Sequence, residues 1–304
     1  MSTFQKKYLI VVIGPTAIGK TALAIQIAQH FNCEIISADS RQFFKEMAIG
    51  TAVPSAKELA AAPHHFIQNI SIFEEYTVGD FERDAIAKLD ELFLTNDYAV
   101  LVGGSGLYID AVLKGFDDFP DIEPSVRESI IADYNAQGIE FLQKKLLELD
   151  PVHYEKVAKE NPQRLMRALE VCIGSGRPYS SFLNIKRNSR NFIPIIIGLE
   201  AERETMYNRI NQRVDIMVQA GLINEAQALH PHKYLNALQT VGYRELFSYF
   251  DGEFTLPFAI EEIKKNTRRF AKRQMTWFKR TEAAKWFDFK TPIAEIINYI
   301  EEKI

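Results

Sequence analysis

The chain has 304 residues, of which 47% are hydrophobic and 25% charged, as is ordinary for a globular protein of one large domain or two modest ones. Its formal net charge of −4 argues against a protein that coats nucleic acid without sequence preference. Two distant cysteines, Cys33 and Cys172, indicate neither a disulfide framework nor a zinc site, and no apolar run reaches the roughly 18 residues that span a membrane. With no export signal and no heptad array, we expect a soluble, cytoplasmic monomer.

Short β-branched runs alternate with helical segments in the first third of the chain. The runs at residues 8–13, 34–37 and 98–102 are predicted strands, and residues 20–31 and 78–94 are predicted helices. Strands that alternate with helices form parallel sheets with the helices on their faces. The fold class is therefore predicted to be α/β, with a P-loop NTPase-like parallel sheet.

Residues 116–192 interrupt this alternation with a purely helical pattern. Pro124, Pro151 and Pro162 stand where helices begin, and no strand is predicted until residues 193–199. Helices then continue to residue 280, followed by a short apolar segment at 285–289 and a terminal helix. We predict a core of residues 1–115 and 193–304 with an all-helical insertion domain at 116–192. Within it, the polar stretch 175–190 is either a solvated connection or a loop that closes over a substrate.

A phosphate-binding loop is the strongest local signal. Gly14-Pro15-Thr16-Ala17-Ile18-Gly19-Lys20-Thr21 matches G-x-x-x-x-G-K-[ST] directly after a strand and directly before an Ala-rich helix. Backbone N–H groups of such a loop turn toward an anion, and the following helix adds the positive end of its dipole. Lys20 supplies a full charge, and Thr21 is a candidate ligand for Mg²⁺, which would bridge phosphate oxygens.

The rest of the chain does not match a common nucleotide hydrolase. It has no Asn-Lys-x-Asp motif, and the strand at 98–102 runs into Gly103-Gly104-Ser105-Gly106-Leu107-Tyr108 without a carboxylate. Asp39 follows the strand at 34–37 and is expected at the carboxyl edge of the sheet, where α/β folds bind ligands. By position alone, Asp39 is a general base, an outer ligand of Mg²⁺ or a helix N-cap.

Six motifs, in order along nearly the whole chain, resemble the tRNA dimethylallyltransferase family. They are Gly14-Pro15-Thr16-Ala17-x-Gly19-Lys20-Thr21, Ser37-x-Asp39-Ser40-x-Gln42, Ile49-Gly50-Thr51-Ala52, Gly103-Gly104-Ser105-Gly106-Leu107-Tyr108, Asn161-Pro162-Gln163-Arg164-Leu165-Met166-Arg167-Ala168-Leu169-Glu170 and Val241-Gly242-Tyr243-Arg244. The chain departs from the family pattern at Phe44, Val53 and Gln68-Asn69. We expect a member of the bacterial type, without the C-terminal zinc finger of eukaryotic relatives.

The resemblance implies transfer of a dimethylallyl group from dimethylallyl diphosphate to N6 of adenosine 37 in tRNA, with release of pyrophosphate. The P-loop, Gly14 to Thr21, and Arg213 would then hold the diphosphate, with Mg²⁺ on Thr21. Asp39 would be the general base, Ser105 would orient the reacting groups, and Lys20 and Arg213 would stabilise the leaving group. From spacing alone, Arg213 is no more than a surface helical arginine.

The resemblance also implies contacts with the tRNA anticodon stem-loop. The matching positions are Asp39, Ser40, Arg41, Gln42, Ser105, Arg127, Gln163, Arg164, Leu165, Met166 and Arg167. Independently, residues 264–280 hold eight lysines and arginines and no acidic residue. Helical spacing groups six of them on one stripe, which we predict faces phosphates, and sets Ile263, Phe270 and Trp277 on a stripe that packs on the core. A merely solvated basic face is the alternative.

Three other functions remain open from the sequence. A small-metabolite or nucleotide kinase would use the same P-loop, with Arg164 and Arg167 as lid arginines, and would turn over ATP. A prenyltransferase acting on free AMP or ADP would need neither the insertion nor the basic stripe. A non-enzymatic RNA-binding or nucleotide-switch protein would not require Asp39 and Arg213 together.

Overall fold

The structure is a computed structural model that describes residues 6–117, 119–183 and 190–304. The chain forms two compact units: residues 1–113 with 190–304, and residues 114–189. We refer to them as the core unit and the helical unit. The predicted boundaries, at 115/116 and 192/193, lie within three residues of these.

The first half of the core unit alternates strands and helices. In order these are β1 (Tyr8–Ile13), α1 (Lys20–His30), β2 (Ile35–Ser37), α2 (Ala56–Ala61), β3 (His64–His65), α3 (Val78–Leu92), β4 (Tyr98–Val102) and α4 (Gly106–Lys114). The predicted strands and long helices are found with ends that differ by two residues at most. Helix α2 and the two-residue β3 were not predicted, because neither is long enough to show a hydrophobic period.

The helical unit is a small bundle built on its own apolar centre. Its helices are α5 (Pro124–Gln137), α6 (Ile139–Leu149), α7 (Pro151–Tyr154) and α8 (Pro162–Ser175). Three of them begin at a proline, as predicted, since proline lacks only an N–H that a first turn leaves unpaired anyway. Leu142, Leu146, Leu165 and Leu169 are fully buried between the helices. Of the predicted loop 175–190, residues 184–189 lie outside the described residues, and Tyr179–Phe182 form a short 3₁₀ helix.

The chain then returns to the core unit. The remaining elements are β5 (Ile193–Glu200), α9 (Arg203–Gln219), α10 (Leu222–Leu229), α11 (Tyr243–Phe250), α12 (Leu256–Phe278), β6 (Lys285–Asp288) and α13 (Ile293–Glu301), with 3₁₀ turns at His230–His232 and Asn236–Leu238. Among the described residues, no helix combines the length and apolarity needed to cross a membrane.

One parallel sheet of six strands, in the order β3-β2-β4-β1-β5-β6, organises the core unit. All five strand pairs are parallel, which confirms the predicted fold class. Every residue of β1 is buried, as expected for a central strand covered on both faces. Because the strands are parallel, the segments that follow β1, β2 and β4 all leave from the same edge of the sheet, and these segments carry the predicted site residues.

Glycine lets two of these segments approach each other closely. A Cβ atom at Gly103, just after β4, would lie 2.4 Å from the carbonyl oxygen of Ala38, just after β2. That oxygen belongs to the backbone and has little freedom to move. The absence of a side chain at Gly103 therefore sets the separation of the Asp39 and Ser105 segments.

We predict that Gly103→Ala lowers the free energy of unfolding by about 1–3 kcal/mol, the usual cost of overpacking. A denaturant titration measures this. The matched control is Gly79→Ala in α3, where the nearest atom to a new Cβ is 3.7 Å away. Alanine should stabilise that helix by up to about 1 kcal/mol. Equal midpoints for Gly103→Ala and the wild type would contradict the proposed close contact.

Candidate active site

The P-loop joins β1 to α1 through three residues with positive φ. These are Gly14 at 148°, Ala17 at 63° and Gly19 at 109°. Left-handed backbone of this kind turns successive N–H groups toward one side, which makes an anion-binding concavity. Gly19 caps α1 without a side-chain hydrogen bond, so the first N–H groups of that helix stay available to a ligand.

The Lys20 side chain is half-buried and lines a cavity beside this loop. Its Nζ donates a hydrogen bond of 2.8 Å to the carbonyl oxygen of Pro15. Burial lowers the pKa of Lys20 to about 8. The negative charge of Asp39 raises this pKa, and the positive charge of Arg213 lowers it further. A diphosphate anion would reverse that shift, because an opposite charge favours the ammonium form.

Two arginines one turn apart on α9 face the loop. The described residues give Arg213 no ion pair and no hydrogen bond, and burial lowers the pKa of Arg213 although Asp39 opposes the shift. A desolvated guanidinium without a partner is costly unless a ligand supplies the anion. Arg209 donates from Nε to the carbonyl oxygen of Ala17 at 2.8 Å and lies 4.9 Å from the Phe289 ring. Sequence patterns gave no reason to select Arg209.

Asp39 and Ser105 lie on neighbouring segments of the sheet edge. One Asp39 carboxylate oxygen accepts a 3.2 Å hydrogen bond from the Arg41 N–H. Ser105 Oγ lies 3.0 Å from Ser40 Oγ and accepts a 3.1 Å hydrogen bond from the Ser40 N–H. The two predicted segments therefore form one hydrogen-bonded unit with a carboxylate and two hydroxyls.

Gln274, on α12, connects this unit to the P-loop. Its Oε1 accepts a 2.9 Å hydrogen bond from the Thr16 N–H, and its Nε2 donates one of 2.9 Å to the Gly104 carbonyl oxygen. The side chain is buried. Gln274 was not predicted, because the surrounding basic residues are the obvious feature of that segment.

Two cavities open at this edge. The first, of about 400 Å³, is lined by Lys20, Thr21, Asp39, Arg209 and Arg213 among others. The second, of about 490 Å³, has the larger apolar share and includes Ser40, Arg41, Ser105, Phe270 and Trp277. Both include Thr16, Asp39, Thr51, Arg213 and Gln274. The cationic pocket and the mixed pocket therefore share a wall, and Asp39 belongs to that wall.

The backbone of the Ile49-Gly50-Thr51-Ala52 motif is held from two sides. The Glu225 carboxylate accepts hydrogen bonds of 2.8 to 3.0 Å from the N–H groups of Ala48, Ile49 and Gly50, and one of 2.7 Å from Tyr243 Oη. Opposite, Gln42 Nε2 donates to the carbonyl oxygens of Thr51 and Ala52 at 3.1 and 2.9 Å. The Gln42 side chain is thus buried and helps to shape this loop, and the predicted tRNA contact at Gln42 stays a prediction.

Arg41 also forms contacts inside the core unit. Its Nη1 donates to the carbonyl oxygens of Asn236 and Ala237 at 3.0 and 2.9 Å. It nevertheless lines the mixed pocket. The guanidinium keeps further N–H donors for a ligand, since arginine has five.

The remaining predicted tRNA contacts lie in the helical unit, where some of the side chains are exposed and others are buried. Arg127, Gln163, Arg164 and Arg167 have exposed or half-exposed side chains. Leu165 and Met166 are 0% and 3% exposed and belong to the apolar centre. Their side chains therefore pack within the bundle, and the predicted tRNA contact at these two positions stays a prediction.

The basic stripe of α12 is partly neutralised. Lys264 pairs with Asp215 and Glu261 at 2.8 and 3.0 Å, and Lys265 pairs with Glu262 at 2.7 Å. Lys272 and Arg273, further along, form no ion pair with the described residues. The predicted core stripe is also divided: Ile263 is buried, whereas Phe270 is 39% exposed and lines both pockets.

The chemistry of this edge suits a hard cation. Thr21 and Asp39 supply a hydroxyl and a carboxylate to the same pocket, and Mg²⁺ binds through one or two protein oxygens together with substrate phosphates. In the described part of the chain, no three His, Cys, Asp or Glu residues cluster as a softer metal would require.

Comparisons with known proteins agree on one family. A family model described as IPP transferase matches residues 42–281. The tRNA dimethylallyltransferase of Flavobacterium johnsoniae is 67% identical over 304 residues, covering 98% of each chain. Among solved structures, the full-length tRNA isopentenylpyrophosphate transferase of Bacillus halodurans has a TM-score of 0.73 and 37% identity, covering 98% of this chain and 97% of that one. A eukaryotic dimethylallyltransferase acting on tRNA has a TM-score of 0.80 and 25% identity, covering 94% and 75%.

The lowered pKa of Lys20 predicts a pH dependence of anion binding. An anion binds the ammonium form, so above about pH 8 the free protein must take up a proton on binding. The Kd for pyrophosphate should then rise by up to about tenfold per pH unit. Calorimetry from pH 7 to 10 on wild type and Lys20→Met measures this change. The ratio of the two Kd values is compared, because the titration of pyrophosphate itself affects both proteins equally. A ratio that does not change with pH would contradict the shift.

Replacement of Gln274 tests the connection between the two segments. Gln274→Leu leaves the Thr16 N–H and the Gly104 carbonyl without partners, at about 1–3 kcal/mol for each buried group. We expect pyrophosphate affinity to fall by about tenfold, because about 1.4 kcal/mol of this cost would appear as weaker binding by the P-loop. The matched control, Gln227→Leu at an exposed position of α10, should bind pyrophosphate like wild type. Unchanged affinity in Gln274→Leu would show that the P-loop does not depend on this bridge.

Proposed function

This chain belongs to the IPP transferase family, and we propose that it transfers a dimethylallyl group from dimethylallyl diphosphate to N6 of adenosine 37 in tRNA. The products are N6-(dimethylallyl)adenosine and pyrophosphate. The observation that carries this proposal is the wall between the two pockets. Asp39 lines the cationic pocket together with Lys20, and it lines the mixed pocket together with Trp277. Arg213, which has no ion pair or hydrogen bond among the described residues, lines both pockets.

The proposed reaction exchanges one bond for another. The N6 lone pair of adenosine attacks the allylic carbon, and the bond from that carbon to the diphosphate oxygen breaks with its electron pair on oxygen. Asp39 accepts the proton that the amine releases. The P-loop N–H groups, Lys20 and Arg213 stabilise the charge that develops on the departing pyrophosphate.

Mg²⁺ is the proposed cofactor, with Thr21 as its protein ligand. When bound, it would neutralise part of the diphosphate charge. The diphosphate would otherwise be bound by residues 14–21 and Arg213. The reacting groups would be oriented by the hydroxyls of Ser40 and Ser105.

The proposed partner is the tRNA anticodon stem-loop. A loop nucleotide is turned out of its stack at a cost of a few kcal/mol, and the splayed base is then read by stacking and hydrogen bonds. Phe270 and Trp277 supply aromatic surface in the mixed pocket, and Arg273 supplies charge. In the insertion, predicted as residues 116–192, the proposed tRNA contacts are Arg127, Gln163, Arg164 and Arg167. A tRNA substrate implies a cytoplasmic reaction, and the monomeric state stays a prediction.

The test is incorporation of label from radioactive dimethylallyl diphosphate into unmodified tRNA that carries A36-A37-A38, in the presence of Mg²⁺. We expect label at A37 with wild-type protein. Asp39→Asn should lower kcat by about 10²–10⁴-fold, the usual contribution of a general base. The matched control is Asp90→Asn at an exposed position of α3, which should retain wild-type kcat.

Other outcomes identify other functions. No label in tRNA together with ATP-dependent phosphorylation of a small metabolite would replace the proposal with a kinase. Label in free AMP or ADP without RNA would indicate the related nucleotide prenyltransferase. Full transfer by Asp39→Asn would remove Asp39 from the role of base while leaving the reaction in place.

A further inference from the structure

A buried carboxylate organises the exposed arginines of the helical unit. Glu170 lies on α8 and its side chain is 12% exposed. Acidic side chains are rarely buried to this degree unless they are paired. Both oxygens of Glu170 are used: Oε2 lies 2.7 Å from Arg127 Nη1, and Oε1 lies 3.1 Å from Arg167 Nη1. One carboxylate thus holds two guanidinium groups, one from α5 and one from α8.

The two arginines still face solvent. Their side chains are 38% and 44% exposed, against 12% for the carboxylate between them. Arg127 uses Nη2 for a 3.2 Å hydrogen bond to Gln163 Oε1, so Gln163 joins the same network. Because each guanidinium has five N–H donors and uses one or two here, most of its donors remain for a ligand.

An aromatic ring orients Arg167 from another side. The guanidinium lies 5.5 Å from the Phe119 ring, and Phe119 stacks on Tyr179 with centroids 4.8 Å apart and planes inclined by 19°. A cation above a ring face gains an attraction that depends on geometry. Glu170 and Phe119 together limit the rotamers that Arg167 can occupy.

We propose that Glu170 is a positioning residue that presents Arg127 and Arg167 as a fixed pair to the tRNA backbone. This rests on the proposed function, because it takes tRNA as the ligand of these arginines. Two guanidiniums held at a set spacing match two phosphates without first losing side-chain freedom, and planar forks bind phosphate oxygens in pairs. Glu170 itself, buried behind them, does not touch the RNA.

Charge and geometry make opposite predictions for Glu170→Gln. If only charge mattered, removal of a negative charge beside an RNA-binding surface would strengthen tRNA binding. If position matters, glutamine keeps the shape but loses the ionic hold, so binding weakens. The sign of the change therefore separates positioning from simple electrostatics.

The experiment is steady-state transfer with the full-length protein, measuring KM for tRNA, KM for dimethylallyl diphosphate and kcat from 50 to 300 mM salt. For Glu170→Gln we expect KM for tRNA to rise by about tenfold, within the coupling range of one hydrogen-bonded network. The slope of log KM against log salt should fall by about one. KM for the diphosphate and kcat should not change.

Two variants keep the test independent of folding. The matched control is Glu148→Gln, which removes an exposed carboxylate 3.8 Å from Lys145 in the same unit and should leave KM for tRNA unchanged. Phe119→Leu keeps apolar volume but removes the ring beside Arg167, and should raise KM for tRNA by about threefold, as expected for one exposed cation–π contact. Thermal unfolding of each variant shows whether the helical unit persists.

A double-mutant cycle completes the test. In an Arg127→Ala/Arg167→Ala background, Glu170→Gln should have no further effect on KM for tRNA. An undiminished effect there, or an unchanged or lower KM in Glu170→Gln alone, would overturn the inference while transfer by the wild type stands. Failure of the wild type to modify tRNA would instead overturn the proposed function.

Discussion

The site depends on one electrostatic constraint: two half-buried cationic side chains, Lys20 and Arg213, line the same pocket at the sheet edge. Burial lowers the pKa of both Lys20 and Arg213, and the charge of Asp39 opposes both shifts. Desolvated charges of like sign raise the free energy of the folded protein unless an anion lies among them. A bound diphosphate would lower that free-energy cost, so the pocket favours a ligand of high negative charge. In the proposed reaction, the mixed pocket receives the group that the diphosphate carries.

The sheet explains how much of the site was predictable. Buried β-branched strands have a clear hydrophobic period, and parallel strands end at one edge, so the positions of Gly14–Thr21, Asp39 and Ser105 followed from local sequence. The family resemblance added Arg213, which spacing alone did not single out. The role of Gln274 could not be predicted because its hydrogen-bond partners, Thr16 and Gly104, are 258 and 170 positions away in the chain. Nothing local distinguishes a glutamine that bridges two loops from one that faces solvent.

Charge patterns along a helix were a weaker guide than hydrophobic ones. The segment 264–280 contains no acidic residue, yet Lys264 is neutralised by Asp215 of α9 and by Glu261, three residues before it. A sequence window misses such partners when they lie outside its limits or on another helix. Among the described residues, no ion pair is formed by the four later cations of the stripe, Arg268, Arg269, Lys272 and Arg273. Of these four, Arg273 lines the mixed pocket, where its charge can attract a polyanion.

The arrangement of the two pockets favours chemistry at carbon over chemistry at phosphorus. In a kinase the acceptor attacks the terminal phosphorus, so the acceptor and its base must lie against the phosphate cradle. Here Asp39 lines the mixed pocket as well as the cationic pocket, and the mixed pocket adds the aromatic side chain of Trp277. Strand β4 ends at Val102 and runs into Gly103-Gly104, without a carboxylate for a nucleotide-bound metal. A prenyl chain attached to a diphosphate would extend from the cationic pocket across the shared wall. Its first carbon would then lie nearer to Asp39 and the serine pair than the phosphorus atoms do. An amine entering from the mixed pocket would meet carbon first, with its proton directed to Asp39 and the leaving oxygen to Lys20 and Arg213.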